Sequence, residues 1–141
     1  MVDLKEFEQK AADLRVLGMK ISIGQDTVYE KYWDEDCRRN IYSASKSFTS
    51  CAVGFAVQEG LIDLDERLMD AFKEDIPNNP DENLKKATVK DLLTMTLGQE
   101  KGFLMGKQRP RMEEQSWVKA SLAIPFVYEP GTHFVYNNVG P

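Results

Sequence analysis

The stretch SASKSFTSCAVGFAVQEG, residues 43–60, predicts the central helix of this protein. Only Lys46 near its start and Glu59 at its end carry a charge at neutral pH. Apolar residues occupy nearly every face of the predicted helix, so we expect it to be buried on all sides. Gly60 comes directly after the last helical residues, where glycine commonly ends a helix.

Ser43 and Lys46 are three positions apart, which places them on one face of the first helical turn. A lysine on a buried helix is costly unless it has a partner or a function. Serine is a weak nucleophile until a base takes its proton, so the two residues are a candidate nucleophile and base. The alternative is that Ser43 is only an N-cap and Lys46 a surface lysine. Ser45 is expected to face away and to be structural.

Composition narrows the class of protein. The 141 residues suffice for one domain, and 42% apolar and 29% charged residues are typical of a soluble globular protein. The net charge of −5 argues against a nucleic-acid partner, and no apolar run is long enough for a membrane span. Two cysteines and one histidine argue against a disulfide scaffold and a metal site, and no cofactor is predicted. Without an apolar leader at the N-terminus, we expect a cytoplasmic protein.

The flanking patterns predict a helix over residues 3–17 and a β-hairpin from residues 19–23 and 27–33. After Gly60 the patterns indicate short helices and loops, one helix beginning at Thr88 with Asp91 three positions later. An isolated two-stranded hairpin is marginal in water. We therefore expect more of the fold to lie beyond this sequence or on another chain.

Four stretches, the last of which contains a motif of its own, resemble one known family in the same order. Residues 43–46, SASK, match an S-x-x-K motif, and residues 136–138, YNN, match Y-x-N. The linking text also fits at residues 60–65 (GLIDLD), 88–98 (TVKDLLTMTLG) and 130–138 (PGTHFVYNN). The sequence thus resembles the serine β-lactamase and penicillin-binding-protein superfamily, most closely its class C and esterase-like branch.

The resemblance implies an α+β fold of the β-lactamase/transpeptidase type, an antiparallel sheet flanked by helices plus a helical subdomain. Residues 1–60 would be the N-terminal part of the α/β domain, with its helix, hairpin and nucleophile helix. Residues 61–141 would form most of the helical subdomain. The family's third motif, K-T-G or H-x-G, does not follow Tyr136, so the chain resembles only the N-terminal portion.

The resemblance also implies site roles. Ser43 would be the nucleophile, Lys46 and Tyr136 would share its proton, and Asn138 would hydrogen-bond Lys46 or the substrate. Which of Lys46 and Tyr136 is the base stays open. Tyr136 could instead be a core aromatic, and Asn137 and Asn138 could be turn residues.

The implied function is a serine hydrolase, an esterase, peptidase or β-lactamase-like enzyme, acting on a small ester or amide through an acyl-serine. As an N-terminal fragment it would be inactive alone, with a C-terminal partner chain or self-association completing it. The alternative is a non-catalytic binding or sensor protein on the same fold.

Overall fold

The computed structural model describes residues 3–35, 37–103, 106, 113 and 116–140. The chain divides into two compact units, Met1–Ile41 and Tyr42–Pro141. The predicted boundary after Gly60 comes instead from the architecture of the family that the sequence resembles. It stays a prediction. In chain order the described elements are α1 (Lys5–Asp13), β1 (Gly18–Ile23), β2 (Asp26–Tyr32), a 3₁₀ turn (Tyr42–Ala44), α2 (Ser45–Gln58), α3 (Leu68–Ala71), α4 (Val89–Leu93) and α5 (Trp117–Leu122).

The first unit contains α1 and the hairpin. β1 and β2 pair antiparallel from Gly18 opposite Tyr32 to Ile23 opposite Asp26, which confirms the predicted hairpin. The alternation of apolar and polar residues and the tight turn made this hairpin predictable from local sequence. α1 is shorter than predicted, because the chain leaves the helix through Arg15, which has a φ of 57°.

A carboxylate on α1 connects that helix to β2. Glu8 accepts a hydrogen bond of 2.7 Å from the Tyr29 hydroxyl and another from the Lys31 ammonium, with which it also forms an ion pair. The Phe7 and Trp33 rings pack edge to face beside them, with their centroids 6.5 Å apart. The hydrogen bonds from Lys31 and then Tyr29 lower the pKa of Glu8, whereas burial and the hydrogen bond to Glu8 raise the pKa of Tyr29 to about 12.

The second unit has its hydrophobic core among the short helices after residue 60. α4 begins with the predicted capping box, in which the Thr88 hydroxyl accepts from the Asp91 N–H and the Asp91 carboxylate accepts from the Thr88 N–H. An isolated antiparallel bridge between Arg67 and Thr88 aligns the starts of α3 and α4. The buried core residues of this unit are Leu68, Leu84, Ala87, Leu97, Leu122 and Phe126.

The prediction that the central helix is buried on all sides is wrong for this structure. No residue of α2 is buried, and Phe48 and Phe55 are 70% and 66% exposed. A helix that is apolar on all sides is stable when other elements cover it. Its sequence does not determine whether such elements pack against it. The described core of this unit forms around α3, α4 and α5 instead. Among the described residues, none of the helices combines the length and the apolar character needed to cross a membrane.

The predicted C-terminal stop of α2 at Gly60 is confirmed. Gly60 has a φ of 71°, its N–H donates to the Val57 carbonyl, and the Leu61 N–H donates to the Ala56 carbonyl. These two hydrogen bonds form the Schellman motif, which satisfies carbonyls that the helix itself leaves unpaired. Glycine adopts this left-handed conformation without the steric conflict of a Cβ atom.

The same substitution should have opposite effects at two glycines of this helix. Gly54→Ala lies in the α2 interior with open space around it, so we expect it to stabilise the helix by about 0.5–1 kcal/mol. Gly60→Ala also meets no atom, but it places a Cβ at positive φ and should destabilise by about 1–2 kcal/mol. Amide hydrogen exchange along α2 measures both effects. Protection changing in the same direction in the two variants would contradict this account of the helix end.

The contact between α1 and β2 should depend on pH in two separate windows. The lowered pKa of Glu8 means that its contribution is complete above the ordinary value of 4.5 and is lost as the pH falls through the still lower folded value. The raised pKa of Tyr29 means that its contribution is complete below the ordinary value of 10.0 and is lost as the pH rises through about 12.

Fluorescence of Trp33 in a Trp117→Phe background reports this contact, because Trp33 packs on Phe7 of α1. Glu8→Gln should remove the acidic transition in this fluorescence that comes from the contact between α1 and β2. Tyr29→Phe should remove the alkaline transition. An acidic transition of unchanged size in Glu8→Gln would assign it to other carboxylates.

Candidate active site

Ser43 lies in the 3₁₀ turn that leads into α2 and is exposed. Its neighbour Tyr42 has a φ of 45°, a left-handed conformation that non-glycine residues adopt rarely. The Ser45 hydroxyl donates a hydrogen bond of 2.7 Å to the Tyr42 carbonyl. Ser45 thus has the structural role predicted for it, since this bond spans the turn that presents Ser43.

The structure brings the three predicted catalytic residues together. The Tyr136 hydroxyl donates to the Ser43 Oγ at 2.6 Å, although the two residues are far apart in sequence. The Lys46 Nζ lies 6.0 Å from the centroid of the Tyr136 ring, within reach of a cation–π interaction. Lys46 is half-buried in the first turn of α2. A serine hydroxyl, a phenol and an ammonium therefore meet at the start of this helix.

Backbone hydrogen bonds place Tyr136. The Gly131 N–H donates to the Thr96 carbonyl at 2.8 Å, and the Tyr128 N–H donates to the Gly98 carbonyl at 2.9 Å. Gly98 permits this approach because a Cβ there would lie 2.2 Å from the Tyr128 carbonyl oxygen. The chain from Tyr128 onwards is consequently held along the segment after α4 until it reaches the site.

A strained residue at the end of α4 contributes to this placement. Met95 has a φ of 57° and lies where α4 ends in a Schellman motif, in which the Thr96 N–H donates to the Asp91 backbone carbonyl. The Met95 carbonyl accepts from the Val135 N–H at 3.0 Å, one residue before Tyr136. The left-handed conformation, unfavourable for a methionine, thus belongs to the residue that holds the Tyr136 segment.

The sequence reasoning missed two buried amides beside Tyr136. Asn137, considered above as a turn residue, is 3% exposed, and its Nδ2 donates to the Gln99 Oε1 at 2.9 Å. The Gln99 Nε2 donates in turn to the Ser121 carbonyl at 2.8 Å. No local pattern signals this pair, because its members are joined only by the fold.

Asn138 is half-buried, and its backbone N–H donates to the Phe103 carbonyl at 3.4 Å. Its predicted contact with Lys46 or a substrate stays a prediction. Among the residues that the structure describes, no three His, Cys, Asp or Glu side chains are grouped to hold a metal ion.

Comparison with known families supports the resemblance inferred from the motifs. A family model described as Beta-lactamase matches residues 5–140. The chain belongs to the beta-lactamase family, within the serine β-lactamase and penicillin-binding-protein superfamily, as predicted from the sequence. A search of curated proteins finds no significant match. Family membership indicates a hydrolase-like protein in general terms, without assigning a substrate.

Proposed function

We propose that this protein carries the nucleophilic centre of a serine hydrolase that acts through an acyl-serine intermediate, with Ser43 as the nucleophile. The hydrogen bond of 2.6 Å between the Tyr136 and Ser43 hydroxyls carries the proposal. It places the phenol oxygen within hydrogen-bonding distance of Oγ, and that oxygen, once it has lost its own proton, is the acceptor that a serine nucleophile requires. Lys46 is the second candidate base, because its Nζ lies 6.0 Å from the centroid of the Tyr136 ring.

In the proposed acylation step, the Ser43 Oγ attacks the carbonyl carbon of an ester or amide. The Ser43 proton passes to Tyr136 in its phenolate form, or the Tyr136 hydroxyl takes it while giving its own proton to Lys46 in its neutral amine form. The tetrahedral intermediate then collapses, the bond to the leaving alcohol or amine breaks, and that group takes the proton. In the second step water attacks the acyl-serine, releases the carboxylic acid and restores Ser43. The Ser43 backbone N–H at the helix start is one candidate donor to the oxyanion.

The proposed substrate class is a small ester or amide, including β-lactams. Asn138 would contact either the substrate or Lys46. No K-T-G or H-x-G stretch follows Tyr136 in this chain, and the resemblance assigns part of the substrate pocket to that motif. Turnover by this chain alone should therefore be slow, and acylation by a reactive probe is a more sensitive test than turnover.

Ser43→Ala should abolish labelling by a serine-reactive fluorophosphonate. The substitution removes the attacking oxygen from an exposed position, so the stability should change by less than about 0.5 kcal/mol. Intact mass before and after labelling, with peptide mapping of the adduct, is the measurement, and Ser50→Ala, at an exposed serine later in α2, is the control. An adduct that persists in Ser43→Ala would eliminate Ser43 as the nucleophile. A folded parent protein that takes no adduct would favour a non-catalytic binding or sensor protein, or a fragment with no activity of its own.

Tyr136→Phe should slow the labelling of Ser43 by about 10²-fold or more, because it keeps the ring and removes the proton acceptor. Tyr128→Phe is the matched control, since the Tyr128 ring stacks on His133 at 4.1 Å and needs no hydroxyl to do so. Lys46→Ala should also slow labelling.

The rate of labelling as a function of pH, measured in the Tyr136 and Lys46 variants, separates their roles. The base is the residue whose loss removes the alkaline rise in rate. Labelling of Tyr136→Phe at the parental rate would remove the phenol from the mechanism.

A further inference from the structure

We propose that Gln99 and Asn137 form a buried amide pair that positions Tyr136 against Ser43. The inference rests on the proposed function and extends it to two residues that touch neither Ser43 nor Lys46 in the described contacts. Both are positioning residues. Their contribution is to fix the backbone that carries the phenol.

Fixed backbone groups at both ends set the direction of the pair. The Ser121 carbonyl can only accept, so Gln99 must present its Nε2 to it and its Oε1 to Asn137. Asn137 must then donate with Nδ2, which leaves its Oδ1 to accept from the backbone N–H groups of Phe103 and Val139 at 3.3 and 3.1 Å. Only one orientation of both amides satisfies all four hydrogen bonds.

The orientation of Gln99 and Asn137 is rigid because both side chains are buried, whereas Tyr136 is only partly buried. Gln99 and Asn137 are 1% and 3% exposed, whereas Tyr136 is 39% exposed. A buried amide that loses a partner cannot replace it with water, so the pair resists displacement. The position of the half-exposed phenol is then determined by its backbone, and Asn137 is the next residue along that backbone.

The pair also links the Tyr136 segment to the hydrophobic core. Gln99 lies opposite the buried Phe126 in an antiparallel bridge, and the Phe126 N–H and carbonyl are hydrogen-bonded by Asp81 and Asn83. Ser121, at the other end of the pair, lies in α5. Residues 136–138 are thereby connected to elements whose positions are set by core packing.

Catalytic geometry is sensitive to displacements of this kind, because a shift of about 1 Å in a reacting group can cost about 10²-fold in rate. Asn137→Ala removes the acceptor for two backbone N–H groups and the donor to Gln99. We expect it to slow fluorophosphonate labelling of Ser43 by about 10-fold to 10²-fold at a temperature where the variant is fully folded by circular dichroism.

Leu84→Ala is the control for stability, since Leu84 is a fully buried core residue that makes none of these hydrogen bonds. If the pair were merely structural, both variants would be labelled at the parental rate while folded. That result would overturn the inference and leave the proposed function intact.

Gln99→Glu provides a rescue test. The introduced carboxylate cannot donate to the Ser121 carbonyl, but its protonated form is nearly isosteric with the amide and can. The labelling rate relative to the parent at the same pH should be low at neutral pH and rise toward one as the pH falls. A ratio that does not change with pH would contradict the proposed direction of the hydrogen bonds.

A readout independent of reactivity separates this inference from the proposed function. Fluorine NMR of protein containing 3-fluorotyrosine reports the Tyr136 environment, with its resonance assigned by its loss in Tyr136→Phe. Asn137→Ala should shift or broaden that resonance more than Leu84→Ala does. If the parent protein takes no label but the resonance responds, the proposed function fails and the positioning role stands. An unperturbed resonance in Asn137→Ala would exclude the positioning role.

Discussion

The backbone pairing of residues 126–138 with residues 95–103 is the constraint on which the candidate site depends. A bridge between Gln99 and Phe126 begins this pairing, and the hydrogen bond from the Val135 N–H to the Met95 carbonyl lies one residue before Tyr136. Without it, nothing in the local sequence would bring a phenol to a serine at the start of α2. The hydrophobic core supports the pairing, because Leu97 and Phe126 belong to both.

Two of the three described non-glycine residues with positive φ lie in the segments that present the reacting groups, the third being Arg15. Tyr42, directly before Ser43, and Met95, whose carbonyl holds the Tyr136 segment, both have positive φ without being glycine. Such residues persist only where the surroundings hold them, here through the Ser45 hydroxyl and the Schellman hydrogen bonds of α4. Both strained positions therefore lie next to groups that the proposed chemistry requires to be fixed.

The exposed surface of α2 shows that an apolar composition alone does not determine whether a helix is buried. Its residues are apolar on nearly every face, yet the described core of its unit forms around other elements. The Gln99–Asn137 pair shows the reverse, since two polar side chains are almost fully buried. In both cases burial depends on which elements pack together, and the character of a single stretch does not determine it.

Local sequence patterns were sufficient to predict three features of the fold. The hairpin follows from alternation, the start of α4 from Thr88 and Asp91, and the end of α2 from Gly60, because these signals act over a few residues. The ordered motifs determined the family, and through that resemblance they predicted that Ser43, Lys46 and Tyr136 belong to one site. Only the tertiary structure decided the contact of 2.6 Å between the hydroxyls, the exposure of α2 and the burial of Asn137. Each of these depends on hydrogen bonds or packing between segments distant in sequence, for which no local pattern carries a signal.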